Sequence, residues 1–151
     1  MFIIKKIILK DFDNNLVENA LRKYSIRKGF MIEFASKSSY SKIENKFFFA
    51  KENDKCFEAT RIKYPFENLL PRLIVKINKS NFSEINFRYS LLSFFYCAFL
   101  LLLAILSLIN GEVETLFLFL FCLPIIQIVF TIIEYKLTLK TMLKTINSYK
   151  L

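Results

Sequence analysis

Residues Leu91–Ile109 read LLSFFYCAFLLLLAILSLI, Asn110–Thr115 read NGEVET, and Leu116–Ile133 read LFLFLFCLPIIQIVFTII. The first apolar run is 19 residues long without a charge and the second is 18. As helices rising 1.5 Å per residue they would each span roughly 27–28 Å, close to the hydrocarbon thickness of a bilayer. So short a connection makes the two antiparallel neighbours. The stretch 91–133 predicts a transmembrane helical hairpin, and the rest of the chain is arranged around it.

Charge sets the expected orientation. Residues 1–88 carry 18 Lys and Arg against 10 Asp and Glu, and the tail carries Lys136, Lys140, Lys144 and Lys150 against Glu134 alone. The connection holds Glu112 and Glu114 and no cation. Cations near helix ends stay on the cytoplasmic side, so both termini are expected to face the cytoplasm, with the hairpin in the inner (plasma) membrane. The opening MFIIKKIILKDFD does not read as a secretory signal, because Lys5 and Lys6 break its apolar run.

Upstream of the hairpin the pattern is α+β. Phe2–Leu9 is rich in β-branched residues and reads as a strand, with an interfacial helix as the alternative. Asp13 precedes Leu16, Val17, Ala20, Leu21 and Tyr24, an apolar face at helical period, which predicts a capped helix over 14–27 ended by Gly29. Met31–Ala35 reads as a strand, Ser36–Ser41 as a loop, Lys46–Ala50 as a short strand, and Cys56–Tyr64 as a strand stopped by Pro65. Phe66–Leu70 has the length of one helical turn. Leu73–Asn78 and Glu84–Ser90 alternate in polarity and predict a β-hairpin.

The expected architecture is a small cytoplasmic α+β domain, 1–90, with one helix and five or six mostly antiparallel strands. It joins an all-α transmembrane hairpin (91–109, loop 110–115, 116–133) with no flexible linker, so the domain should sit rigidly on the membrane face. A tail, 134–151, follows with Leu139, Met142, Leu143 and Ile146 at helical spacing and lysines every four residues. Its apolar stripe requires lipid, the domain or another copy as partner.

Chemistry is sparse. Histidine is absent, which removes the commonest general base and metal ligand. Cys56, Cys97 and Cys122 have no zinc or CxxC spacing and read as small hydrophobes, although Cys97 and Cys122 have positions that would allow pairing across the hairpin. No serine elbow or phosphate-binding glycine loop is present. These features predict no enzyme, no cofactor and no metal. Within the apolar runs, Pro124 removes the hydrogen bond to the Leu120 carbonyl, and Gln127 lies three residues on. That pair either lines a pathway or bonds across to a neighbouring helix. Arg88, Lys136, Lys140 and Lys144 are the expected membrane-surface cations, attracted to anionic lipid. A basic surface also suits nucleic acid, but no nucleic-acid motif accompanies it.

The segment FEATRIKYPFENLLPRLIVKINKSNFSEINFRYSLLSFF carries Phe57, Arg61, Ile62, Tyr64, Leu70, Pro71 and Arg88. It resembles small bacterial membrane proteins that have a basic β-rich cytoplasmic segment, an Arg-Ile-x-Tyr run before a Leu-Pro, a hairpin and two membrane helices. The resemblance implies architecture and no activity. The expected function is an integral membrane anchor, scaffold or accessory subunit, with the bilayer and either a protein partner or a second copy as its contacts. The alternative is an oligomeric pore or membrane-disrupting effector.

Overall fold

The computed structural model describes residues 3–9, 11–28, 32, 45–110 and 114–150. Six strands form one sheet: β1 (Ile3–Ile8), β2 (Ser25–Arg27), β3 (Phe48–Glu52), β4 (Cys56–Arg61), β5 (Leu73–Asn78) and β6 (Asn81–Tyr89). Their order is β1-β6-β5-β4-β3-β2. All neighbours are antiparallel except β2 and β3, which run parallel. The helices are α1 (Asn14–Lys23), α2 (Leu91–Asn110) and α3 (Glu114–Lys150), and a 3₁₀ turn occupies Pro65–Leu69.

The β5–β6 hairpin follows from its sequence. Leu73, Val75 and Ile77 point to one face, and Ile85 and Phe87 of β6 lie opposite Ile77 and Val75. Phe57 and Ala59 of β4 and Phe48 and Ala50 of β3 extend the same apolar face, and every one of these side chains is buried. The opposite face carries ion pairs, Lys6–Glu84 at 2.7 Å and Arg88–Glu58 at 2.7 Å. The face of Phe57, Val75 and Phe87 needs a covering layer, while on the opposite face Phe49, Thr60 and Ile74 are buried as well.

Two helices supply that layer. Val17, Ala20 and Leu21 of α1 are fully buried against it, as the helical period predicts. The second helix is the C-terminal half of α3, where Met142 and Ile146 join the same core. The partner for the tail's apolar stripe is thus the domain itself, and the core draws on chain beyond residue 90.

Several boundaries differ from the sequence reading. Helix α1 ends at Lys23 rather than near residue 27, because Ser25–Arg27 pairs with Phe48–Ala50 and the Tyr24 carbonyl accepts from the Phe47 and Phe48 amides. Asp13 stands at the N-cap with extended backbone but makes no side-chain capping bond. The strand expected at Met31–Ala35 and the loop at Ser36–Ser41 lie outside the described residues, Ile32 excepted.

The two apolar runs form α2, of 20 residues, and the first half of α3, of 37, and α3 is unbroken through Pro124. Among the described residues, one stretch is long and apolar enough to cross a membrane, Cys122–Lys150 of α3. The described apolar part of α2, Leu91–Leu103, is shorter. One candidate span stands where the sequence predicts a hairpin of two.

Candidate functional site

The polar residues of α3 line up on the side it turns inward. Gln127, Thr131, Glu134 and Thr138 follow one another at intervals of three or four, which places them on one helical face. All four are buried, Glu134 completely. Ile125, Ile126, Ile128, Val129, Ile132 and Ile133 face outward and are exposed. On α2 the exposed side chains are apolar as well. Leu92, Phe95, Tyr96, Phe99, Leu102 and Ile105 are exposed, while the half-buried Ser93 and Cys97 share a stripe with buried Leu100. Below Glu134 the order reverses to that of a soluble helix, with Met142 and Ile146 inside and Lys136, Lys140 and Lys144 exposed.

At the point of reversal lies a buried ionic cluster. Phe57, Ala59 and Arg61 share a face of β4 by alternation, so the apolar face of that strand ends in a guanidinium. Arg61 Nη2 donates to Glu134 Oε2 at 2.7 Å and Nη1 to Glu67 Oε2 at 2.7 Å. Thr138 Oγ1 donates to Glu134 Oε1 at 3.3 Å, and Lys63 Nζ stands 4.0 Å from the same oxygen. Lys63 also donates to the carbonyls of Leu70 (2.6 Å) and Pro71 (3.0 Å). Tyr64 N–H donates to Glu67 Oε2 at 2.9 Å, which fixes the 3₁₀ turn against Arg61.

Electrostatics follow from that geometry. Burial opposes the Arg61 charge, but the Glu134 hydrogen bond and carboxylate outweigh it and leave its pKa above the ordinary arginine value. Burial likewise opposes ionisation of Glu67, yet the Tyr64 amide and Arg61 hold its pKa below the usual carboxylate range. Burial dominates at Lys63 and lowers its pKa to about 8, against the opposing pull of Glu134. Charged groups buried in this way hold together because each has a partner of opposite sign or a hydrogen bond.

Beside the cluster a second set of bonds joins sheet to helices. Thr131 Oγ1 donates to the Gln127 carbonyl at 2.7 Å, so it receives the Tyr89 hydroxyl proton across their 2.6 Å contact. Ser90 caps α2: its carbonyl accepts from the Phe94 amide at 3.0 Å and its Oγ from the Ser93 amide at 3.2 Å. The Arg72 amide donates to Ser93 Oγ at 2.9 Å. Tyr135 meets the Phe87 ring edge-on, and the Lys5 ammonium lies 5.2 Å from the Tyr135 centroid.

The expected site residues are dispersed. Gln127 lies on the buried stripe and Pro124 one turn above it. Lys136, Lys140 and Lys144 are exposed along the outer side of α3, whereas Arg88 is held by Glu58 on the polar face of the sheet, 13% exposed. The sequence reading treated Glu134 only as a tail charge. Its signal is the spacing 127-131-134-138, four polar residues at helical period, with Ile128, Ile132 and Ile133 between the first three. All three cysteines are free. The described residues contain no group of three or more His, Cys, Asp or Glu disposed to hold a metal. No protein-family model matches the chain, and neither does any curated protein or solved structure.

Proposed function

We propose that α2 and the upper half of α3 insert together into the inner membrane as a two-helix anchor, with the sheet and both termini on the cytoplasmic side. In this reading the protein is an integral anchor, scaffold or accessory subunit that holds a partner protein at the membrane face. One observation carries the membrane part, the exposed apolar faces of both helices. A large apolar side chain left in water forgoes about 1.5–3 kcal/mol, and soluble monomers rarely expose a contiguous apolar surface of this extent. Lipid removes that penalty, and Thr131, Glu134 and Thr138 of the inward stripe are bonded to the protein's own groups, as a membrane interior demands. The tail packed on the sheet supports termini on one side, and exposed Lys136, Lys140 and Lys144 support the cytoplasmic one.

Cys122 provides the test, because its thiol is exposed on the surface of the fold. In intact membranes, a membrane-impermeant maleimide is expected to leave Cys122 unlabelled until detergent is added, and alkaline carbonate should not extract the protein. Labelling without detergent, or release by carbonate, overturns the anchor. For the partner, cross-linking in membranes followed by native purification should recover a second protein; a lone monomer contradicts that part. The pore alternative rests on Pro124 and Gln127. Burial of Gln127 within a single chain leaves the exposed, described faces of both helices apolar, so no polar lining supports it.

A further inference from the structure

The 3₁₀ turn Pro65–Leu69 is flanked by two large exposed side chains, Tyr64 at 58% and Leu69 at 79%, the latter the most exposed of the molecule's described large hydrophobics. From the turn and its structural ties we infer that this segment is a third membrane contact, which seats Tyr64 and Leu69 in the headgroup–acyl boundary of the cytoplasmic leaflet. The inference rests on the anchor reading above and adds a lipid-binding element outside the two helices.

Position supports it first. Arg72, three residues after Leu69, donates its amide to Ser93 in the first turn of α2, and three residues of chain reach at most about 11 Å. Glu67 is tied to Arg61, which is tied to Glu134, the residue immediately following exposed Ile132 and Ile133. Both ties hold the turn level with the base of the apolar helices. Leu91 and Leu92, which open α2, are exposed at that same base.

Composition and charge point to lipid as the occupant. Interfacial belts are enriched in tyrosine, and this chain has no tryptophan to take that role. Tyr64, Tyr89, Tyr96 and Tyr135 all lie at or near the junction; Tyr89 is hydrogen-bonded to Thr131, Tyr135 packs on Phe87, and Tyr64 and Tyr96 are exposed. The segment Tyr64–Pro71 has one charge, Glu67, and that carboxylate is engaged by Arg61 and the Tyr64 amide. The turn thus presents exposed Tyr64, Asn68 and Leu69 outward, with no unpaired negative charge to repel anionic headgroups. Exposed Lys5 and Lys136, on β1 and α3, stand on the sheet side of the boundary, where cations attract such lipid.

Absence of native tryptophan permits a direct measurement. Leu69→Trp, Tyr64→Trp, Ile128→Trp and Ser80→Trp are each introduced into the full chain and reconstituted in phosphatidylethanolamine–phosphatidylglycerol vesicles. The lipids are brominated either near the headgroup or deep in the acyl chain. Ser80 lies exposed in the β5–β6 turn. Contact about 5–10 Å into the boundary predicts roughly twofold quenching of Leu69→Trp and Tyr64→Trp by shallow bromines, with little effect on Ser80→Trp. Ile128→Trp should respond most to deep bromines. If Ile128→Trp is quenched while both turn variants behave as Ser80→Trp, the inference is overturned and the anchor stands. If Ile128→Trp itself is unquenched, the anchor fails and the inference with it.

Discussion

At the scale of single residues, Glu134 and Arg61 join the sheet to α3. Removing one member of a buried pair strands the other, which typically costs about 3–5 kcal/mol, whereas apolar replacement of both is often neutral. Glu134→Leu leaves buried Arg61 with Glu67 as its one carboxylate and is expected to lower the unfolding midpoint in detergent, and Arg61→Met combined with Glu134→Leu to recover part of the loss. Equal destabilisation by the single and double variants would show that the pair is not the critical contact. Lys63 has the opposite sign. Its folded pKa of about 8 lies below the ordinary 10.5, so burying its charge costs stability below pH 8, and that cost is relieved as pH rises towards 10.5. Glu52, at the far end of the sheet, accepts from Arg22 at 2.6 and 2.9 Å and pairs with Lys79 at 3.0 Å. Hydrogen bonds from Arg22, then Lys79, hold its pKa at about 2 against the usual 4.5. A depressed carboxylate contributes stability above pH 4.5 that is lost as pH falls through 2. Glu52→Gln should thus be less stable than the parent at pH 7, with the gap closing by pH 2 in urea titrations. A gap independent of pH would refute this assignment.

At the scale of elements, α3 is one continuous helix with two environments. Between Cys122 and Glu134 its exposed side chains are apolar and its polar ones are buried; below Glu134 the arrangement is that of an ordinary core helix. The lower half is expected to behave as part of the fold. Met142→Ala, at a site 1% exposed, should cost about 2–5 kcal/mol by opening a cavity, and exposed Lys140→Ala should change stability by no more than about 0.5 kcal/mol. Thermal unfolding followed by circular dichroism distinguishes this from a tail lying on lipid, for which Met142→Ala would leave the domain's midpoint unchanged. The upper half is judged by insertion. Ile128→Arg places a charge on the exposed face, at an expected penalty of about 2.5–3.5 kcal/mol near the bilayer centre. The carbonate-resistant fraction should fall for Ile128→Arg and stay level for Lys144→Ala.

At the scale of the whole molecule, sheet, α1 and the lower half of α3 share one core, while α2 and the upper half of α3 project from it. No linker separates the two parts: β6 ends at Tyr89, Ser90 caps, and α2 begins at Leu91. Thr131–Tyr89 and Glu134–Arg61 tie α3 directly to the sheet. The β5–β6 hairpin and the register of its apolar face were legible in the sequence because strand alternation is local. The end of α1 was not, since Ser25–Arg27 is drawn into a strand by a partner more than twenty residues away.

Taken by itself, the sequence determined that two long apolar helices follow an α+β segment, that cations flank them and not their connection, and that the tail has an apolar stripe. Each is a property of neighbours within a few turns or a few alternations, where periodicity carries the information. Only the tertiary structure decided what the stripe packs on and that Glu134 lies opposite Arg61. Those outcomes depend on contacts between residues as far apart as 61 and 134, set by how the helices meet the sheet, which no local pattern encodes.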